Sequence, residues 1–275
     1  MRYPEPIIVV ELFPEILERL LELLGGLSAA EWEKPTACAG WSIKDVALHL
    51  LGDDIGILSR KRDGYSQSAD VGDLKDLISL IKEWNETWVD ATRRMSTRML
   101  VDLLKFSGGQ ANEYFQTLDP YALGSPVSWA GPDPAPVWLD LAREYTERWM
   151  HQQHIRDAVE KPGLREPRYF APLLDAFIRA LPYTYRAVEA AEGTRVGLKI
   201  TGESGGLWTL SRKGRLWVLY VGISQEPDAE VIMEEDTAWR IFTKGLSRED
   251  ASDRVEVTGE QSLGLKVLDM VSIIA

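Results

Sequence analysis

The spacing of the apolar residues changes once along the chain, close to Gly193, and this change limits the folds that the chain can adopt. Before it, apolar residues recur every three or four positions, as they do on one face of an α-helix. After it, short runs rich in Val, Ile, Leu and aromatic residues are separated by turn residues, which is typical of strands. The sequence therefore predicts an α+β protein with a helix bundle first and a small α+β domain last.

Local signals set the expected helix ends. Ser42 and Asp45 have the spacing of a capping box, in which the hydroxyl accepts from the third amide and the carboxylate accepts from the cap amide. A helix is therefore predicted to begin at Ile43. A first amphipathic helix is predicted to end at Gly25, and a later one near Val159, because glycine and proline follow them.

These boundaries divide the 275 residues into three parts. We predict a four-helix bundle over 1–165, a connecting helix over 166–193 and a small α+β domain over 194–275. The length is sufficient for two ordinary domains, each with a core of its own. The last helix is predicted to cover Ser262–Ile273.

One predicted helix concentrates side chains that can bind a metal ion. At about 100° per residue, Glu147, His151 and His154 share a narrow stripe of it. Residues four apart have Cβ atoms roughly 5–6 Å apart, so Glu147 and His151 can reach one divalent ion. The chain has three histidines, and the third is His49. Two imidazoles and a carboxylate suit catalytic zinc, with nickel or iron as alternatives, if His49 folds back to complete the site.

Simpler interpretations remain open for each of these residues. Glutamate and histidine four apart on a helix are often a solvated ion pair, and His49 on its apolar face can be a core histidine. Asp53, four residues after His49, is either a partner that orients the imidazole ring or a solvated carboxylate. Cys38 is a rival nucleophile just before a helix start, although no Cys-His-Asn signature accompanies it.

Charge and composition exclude several classes of partner. A net charge of −12 argues against a nucleic-acid surface and against docking on an anionic membrane. The stretch Ile7–Leu24 contains five charged residues, so it is neither a signal peptide nor a membrane span. A single cysteine permits no internal disulfide and fits a reducing compartment. We therefore expect a cytoplasmic protein that acts on small molecules, as a monomer or a homodimer.

Two stretches together resemble one known family. Trp32–His49, which contains Pro-Thr-Ala-Cys-Ala-Gly-Trp-Ser, and Arg143–Arg156 are similar to the mycothiol-dependent maleylpyruvate isomerase family of the DinB-like (YfiT-like) superfamily. Shorter segments of the chain also resemble that family: Val127–Gly131, Asp228–Val231, Thr237–Arg240 and Val255–Glu260. The resemblance covers nearly the whole chain, and the two long motifs are specific in combination.

The resemblance implies a DinB-like bundle that binds one divalent metal, usually zinc, through His49, Glu147 and His151. It implies a C-terminal domain similar to sterol-carrier folds. It also implies a low-molecular-weight thiol as co-substrate, which meets the metal and adds to a double bond of an electrophilic substrate. An arginine of the C-terminal domain would hold the substrate carboxylate. The candidates for this arginine are Arg240, Arg254 and Arg215.

Position 154 departs from the family pattern, in which Asp or Gln is expected. His154 is a proton relay, an alternative metal ligand or a polar residue that faces a solvent-filled cleft, and the last is favoured. The predicted function is a metalloenzyme that uses a small thiol for S-transfer or isomerisation. The alternatives are a protein that binds or senses a ligand beside a structural metal, and a metal-assisted hydrolase.

Overall fold

The computed structural model of the chain describes residues 1–65, 74–125, 134–222 and 226–272. The chain divides into two compact units. The helical unit contains Val9–Asp119 and Glu144–Leu164, and the sheet unit contains Met1–Ile8, Pro120–Arg143 and Arg165–Ile274. The three-part division at 165 and 193 stays a prediction. The predicted motif Val127–Gly131 lies outside the described residues.

The first six helices include the elements that carry the candidate site. They are α1 (Phe13–Gly25), α2 (Ala29–Trp32), α3 (Ile43–Ile57), α4 (Leu74–Thr92), α5 (Thr97–Gln116) and α6 (Val137–Val159). A 3₁₀ turn at Val10–Leu12 precedes α1, and a π-helical turn at Leu58–Arg62 follows α3. The predicted helix ends at Gly25 and Val159 are confirmed.

Side chains at the helix starts explain where α2, α3 and α5 begin. Ser42 Oγ accepts from the Asp45 amide and the Asp45 carboxylate accepts from the Ser42 amide, so the predicted capping box is confirmed. Ser28 forms the same arrangement with Glu31, and Ser96 caps α5. Each cap satisfies amides that the first helical turn leaves without partners.

Four of these helices close a bundle, as predicted. Helix α5 packs against both α1 and α3. Helix α6 completes the ring, because Arg148 binds Asp54 of α3 at 2.7 Å and Gln152 Nε2 donates to the Ile16 carbonyl of α1 at 3.0 Å. Helix α4 lies outside the ring against α3, where Trp88 Nε1 donates to the Leu48 carbonyl.

The sheet unit contains the strands predicted after Gly193. They are β1 (Arg195–Thr201), β2 (Gly206–Lys213), β3 (Leu216–Val221), β4 (Ala229–Glu234) and β5 (Val255–Gly259). Their order within the described sheet is β3-β2-β1-β4-β5, with β1 and β4 parallel and the other pairs antiparallel. The helices of this unit are α7 (Pro167–Ile178), α8 (Leu181–Thr184), α9 (Glu235–Phe242), α10 (Arg248–Ser252) and α11 (Gln261–Leu265). The α+β fold class is therefore confirmed.

The last predicted helix, Ser262–Ile273, is wrong in length. Helix α11 covers Gln261–Leu265 and continues only as a 3₁₀ turn to Asp269. Tertiary hydrogen bonds replace the helical ones there, since the Ser272 amide donates to the Phe242 carbonyl and Ser272 Oγ donates to the Phe177 carbonyl. No helix within the described residues is both long and apolar enough to span a membrane.

Candidate metal centre

Helices α3 and α6 bring His49, Glu147 and His151 together. His49 Nε2 lies 3.1 Å from Glu147 Oε1, and His151 Nε2 lies 2.9 Å from the same oxygen. Both histidines are buried, whereas the Glu147 side chain is 31% exposed. Two imidazoles from different helices thus converge on one carboxylate oxygen.

The donor set and its spacing fit a divalent cation. Ligands at zinc–ligand distances of about 2.0–2.2 Å are separated by about 2.9 Å at octahedral angles and about 3.4 Å at tetrahedral angles. The observed separations of 2.9 and 3.1 Å are comparable with these values. Two imidazoles with one glutamate are also a donor set that catalytic zinc uses. One ligand atom from each of His49, Glu147 and His151 lies within 4.8 Å of the others.

The N-terminal end of α3 positions His49. Arg93, just after α4, binds the capping carboxylate of Asp45 through Nε at 2.8 Å, which ties the start of α3 to its neighbour. The ring of Trp41 lies 5.1 Å from the His49 ring, centroid to centroid. His49 follows the cap by two helical turns, so the cap helps to fix its backbone position, and Trp41 packs near its ring.

Charge is distributed unevenly among the three candidate ligands. Burial alone lowers the pKa of His49, but the carboxylates of Asp53 and Glu147 outweigh it and raise the pKa to about 9. Burial raises the pKa of Glu147, yet His151 and His49 hold it well below the usual range. Burial lowers the pKa of His151 against the opposing effect of Glu147. Without an ion, His49 and Glu147 therefore form a charged pair beside a neutral His151.

Asp53 approaches the side of His49 that faces Glu147. Its Oδ2 lies 3.3 Å from His49 Nε2, the same nitrogen that contacts Glu147. Burial, together with the charge of Glu147, raises the pKa of Asp53 to about 7 against the opposing effect of His49. The carboxylate is thus placed among the candidate ligand atoms rather than behind the ring. Its side chain is 26% exposed, so it also reaches solvent.

Sequence reasoning missed a buried ion pair next to the site. Arg148 follows Glu147 directly and donates to Asp54 Oδ1 at 2.7 Å and to Glu144 Oε2 at 3.0 Å. Ser107 of α5 donates to the other Asp54 oxygen at 3.0 Å. These contacts join α3, α5 and α6, and so hold the register that places Glu147 opposite His49. The only signal in the sequence is an arginine adjacent to the candidate glutamate.

Cys38 and His154 lie on the other side of His151. The Cys38 sulfur is 3.1 Å from His154 Nδ1 and 3.7 Å from His151 Nδ1. His154 is 9% exposed, so it does not face a solvent-filled cleft as we favoured from the sequence. Burial is the main reason why the pKa of Cys38 is raised, to about 11.

The candidate arginines belong to the sheet unit. Arg240 Nε donates to Asp236 Oδ2 at 3.0 Å, and its guanidinium lies 4.5 Å from the centre of the Trp239 ring. Arg254 is exposed at the turn before β5, and Arg215 is exposed between β2 and β3. A role for any of them in binding a substrate carboxylate stays a prediction.

Comparison with known proteins identifies the helical region. Residues 13–156 match the family model described as the mycothiol maleylpyruvate isomerase N-terminal domain. Two solved structures, of the mycothiol-dependent maleylpyruvate isomerase and of a histidine-to-alanine variant of it, share the fold at TM-scores of 0.50 and 0.55. Each is 13% identical to this chain, and each alignment covers 90% of this chain and 91% of the other. Comparison with curated proteins gives no match. Because the matched span exceeds half of the 275 residues, the chain belongs to the mycothiol maleylpyruvate isomerase N-terminal domain family.

Proposed function

We propose that this protein is a divalent-metal enzyme that uses a low-molecular-weight thiol, such as mycothiol, to isomerise an electrophilic substrate or to join the thiol to it through sulfur. The observation that carries the proposal is the convergence of His49 Nε2, Glu147 Oε1 and His151 Nε2 within hydrogen-bond distance. The family and the names of the two solved structures support the choice of thiol and reaction.

The three side chains determine which ion and which co-substrate the site favours. Two neutral imidazoles and one carboxylate carry a single negative charge, so a bound divalent ion retains one positive charge. Zinc is the first candidate, with nickel and iron as alternatives. When bound, the ion supplies a Lewis-acidic position that favours a thiolate over a thiol.

A thiol that ionises in the site must transfer its proton to a neighbouring base. Asp53 is our candidate, because its carboxylate lies beside His49 Nε2 and remains partly exposed. A partly exposed carboxylate can accept a proton at the site and release it to solvent. His154 lies on the Cys38 side of the His151 ring and not beside Asp53, so we place it outside the proton path.

The proposal is tested by measuring the conversion of maleylpyruvate in the presence of mycothiol, after loading with zinc, nickel or iron. We expect activity that requires both thiol and metal, and that Glu147→Gln abolishes. Glu113→Gln is the matched control, since Glu113 is an exposed glutamate of α5, and it should retain activity. Metal-independent turnover would contradict the proposal. Tight metal binding with no conversion of the substrate in the presence of any cellular thiol would instead support a binding or sensing protein.

A further inference from the structure

The two ring nitrogens of His151 face different groups. Nε2 lies 2.9 Å from Glu147 Oε1, whereas Nδ1 lies 3.7 Å from the Cys38 sulfur. The His154 ring is packed edge-on against the His151 ring, with centroids 5.4 Å apart. His151 therefore separates the His49–Glu147 pair from a second group made of Cys38 and His154.

A closed loop holds Cys38 in this place. The Thr36 amide donates to the Trp41 carbonyl, and the Trp41 amide donates to the Cys38 carbonyl, both at 3.0 Å. The Cys38 amide in turn donates to Thr36 Oγ1 at 3.2 Å. Gly40 has φ +81°, a left-handed conformation that glycine adopts without strain. The hydrogen bonds of this loop thus hold the backbone of Cys38 in a fixed position.

The distances in this second group match those around a metal ion. The Cys38 sulfur lies 3.1 and 3.7 Å from the two Nδ1 atoms, and one ligand atom from each residue lies within 4.8 Å of the others. A tetrahedral zinc ion with sulfur at about 2.3 Å and nitrogen at about 2.0–2.1 Å separates these atoms by about 3.6 Å. One thiolate with two imidazoles is a donor set for zinc and for softer ions.

We propose that Cys38, His154 and Nδ1 of His151 form a second metal position, which contains sulfur and suits zinc or a softer divalent ion such as cadmium. A neutral imidazole has one nitrogen with a free lone pair and one that carries a proton. His151 therefore serves either the His49–Glu147 position or the Cys38–His154 position, and the two positions compete for one ion per chain. Binding at the Cys38 position releases the thiol proton to solvent.

Cobalt(II) as a zinc substitute tests this inference, because only a thiolate ligand adds an intense sulfur-to-cobalt charge-transfer band in the near ultraviolet. Metal-free protein is titrated with cobalt, and binding is counted separately by equilibrium dialysis. We expect the band in the wild type and in His49→Ala, at higher intensity in His49→Ala because the competing position is lost. Cys38→Ser should remove the band but retain one equivalent of cobalt through the His49 position.

Two further variants make the result decisive. His154→Ala keeps the thiol and should weaken the band several-fold, and His151→Ala should remove cobalt binding at both positions. Circular dichroism of each variant checks that the helices are intact. Absence of the band from both wild type and His49→Ala, with cobalt or with cadmium, would overturn the inference. Loss of all cobalt from Cys38→Ser would support the Cys38 position and contradict the proposed function, so the two failures are distinguishable.

Discussion

His49 Nε2 in α3 lies 3.1 Å from Glu147 Oε1 in α6, although 98 residues separate them in the sequence. The same oxygen contacts His151 on its own helix. The Glu147 carboxylate therefore makes two kinds of contact. Its contact with His151 follows from the spacing of residues on one helix, whereas its contact with His49 depends on how α3 and α6 pack together. Removing either histidine tests a different part of the arrangement.

Metal content should depend on His151. Because this residue faces both groups of candidate ligands, His151→Ala should bind zinc at least about 100-fold more weakly, more than the loss of an outer hydrogen-bond partner costs. Elemental analysis after dialysis should find about one equivalent in the wild type and in the Glu113→Gln control, and almost none in His151→Ala. Equal metal content in all three proteins would show that His151 is not a metal ligand.

Metal affinity should rise with pH between about 7 and 9. The pKa of His49 is raised to about 9 in the ion-free protein, so an ion must displace a proton there. Glu147 is already ionised and contributes nothing in this range. One displaced proton changes the apparent affinity about tenfold per pH unit. Competition with a chelator at pH 7, 8 and 9 measures the slope in Cys38→Ser, which has no thiol proton to release, and adding His49→Gln to that variant should flatten it. A flat profile in Cys38→Ser itself would show that His49 binds no ion.

Removing only one member of the buried pair Arg148–Asp54 should destabilise the helical unit more than removing both. Their side chains are 13% and 5% exposed, so Arg148→Met leaves a buried carboxylate without its cation and should cost about 3–5 kcal/mol. The double variant Arg148→Met/Asp54→Leu should recover part of this loss. Lys82→Met, which breaks an exposed pair with Glu86, is the control at about 0–1 kcal/mol. Urea unfolding measures all three, and similar costs for Arg148→Met and Lys82→Met would contradict the prediction.

Two neighbouring glycines of α5 should respond differently to alanine. A Cβ at Gly108 would lie 2.8 Å from Leu17 of α1 and 3.3 Å from Asp54 Oδ2, so the cost of moving these side chains should offset the helix-propensity gain of Gly108→Ala and leave this variant less stable than Gly109→Ala. At Gly109 no atom lies within 4 Å, and alanine should stabilise by up to about 1 kcal/mol through its higher helix propensity. Thermal unfolding of the two variants compares them directly. A loss of stability in Gly109→Ala would contradict the prediction, because it would mean that another part of the protein packs against this face of α5.

Much of the fold follows from local patterns. The capping residues and terminal glycine place the ends of α1 and α3, and the change in apolar spacing near Gly193 separates helices from strands. The exception is the chain end, where Ser272 exchanges helical hydrogen bonds for contacts with Phe177 and Phe242. Such contacts come from distant parts of the chain and leave no periodic signal in the sequence.

By itself, the sequence determined that Glu147 and His151 share one helix face, because residues four apart are neighbours on any α-helix. Only the tertiary structure decided that His49 reaches the same oxygen, that Asp53 approaches the same nitrogen, and that Cys38 lies against His154. Backbone geometry repeats within a helix whatever surrounds it. Which faces of separate helices and loops meet depends on how the whole set packs, and here Arg148 and Asp54 hold that packing in register.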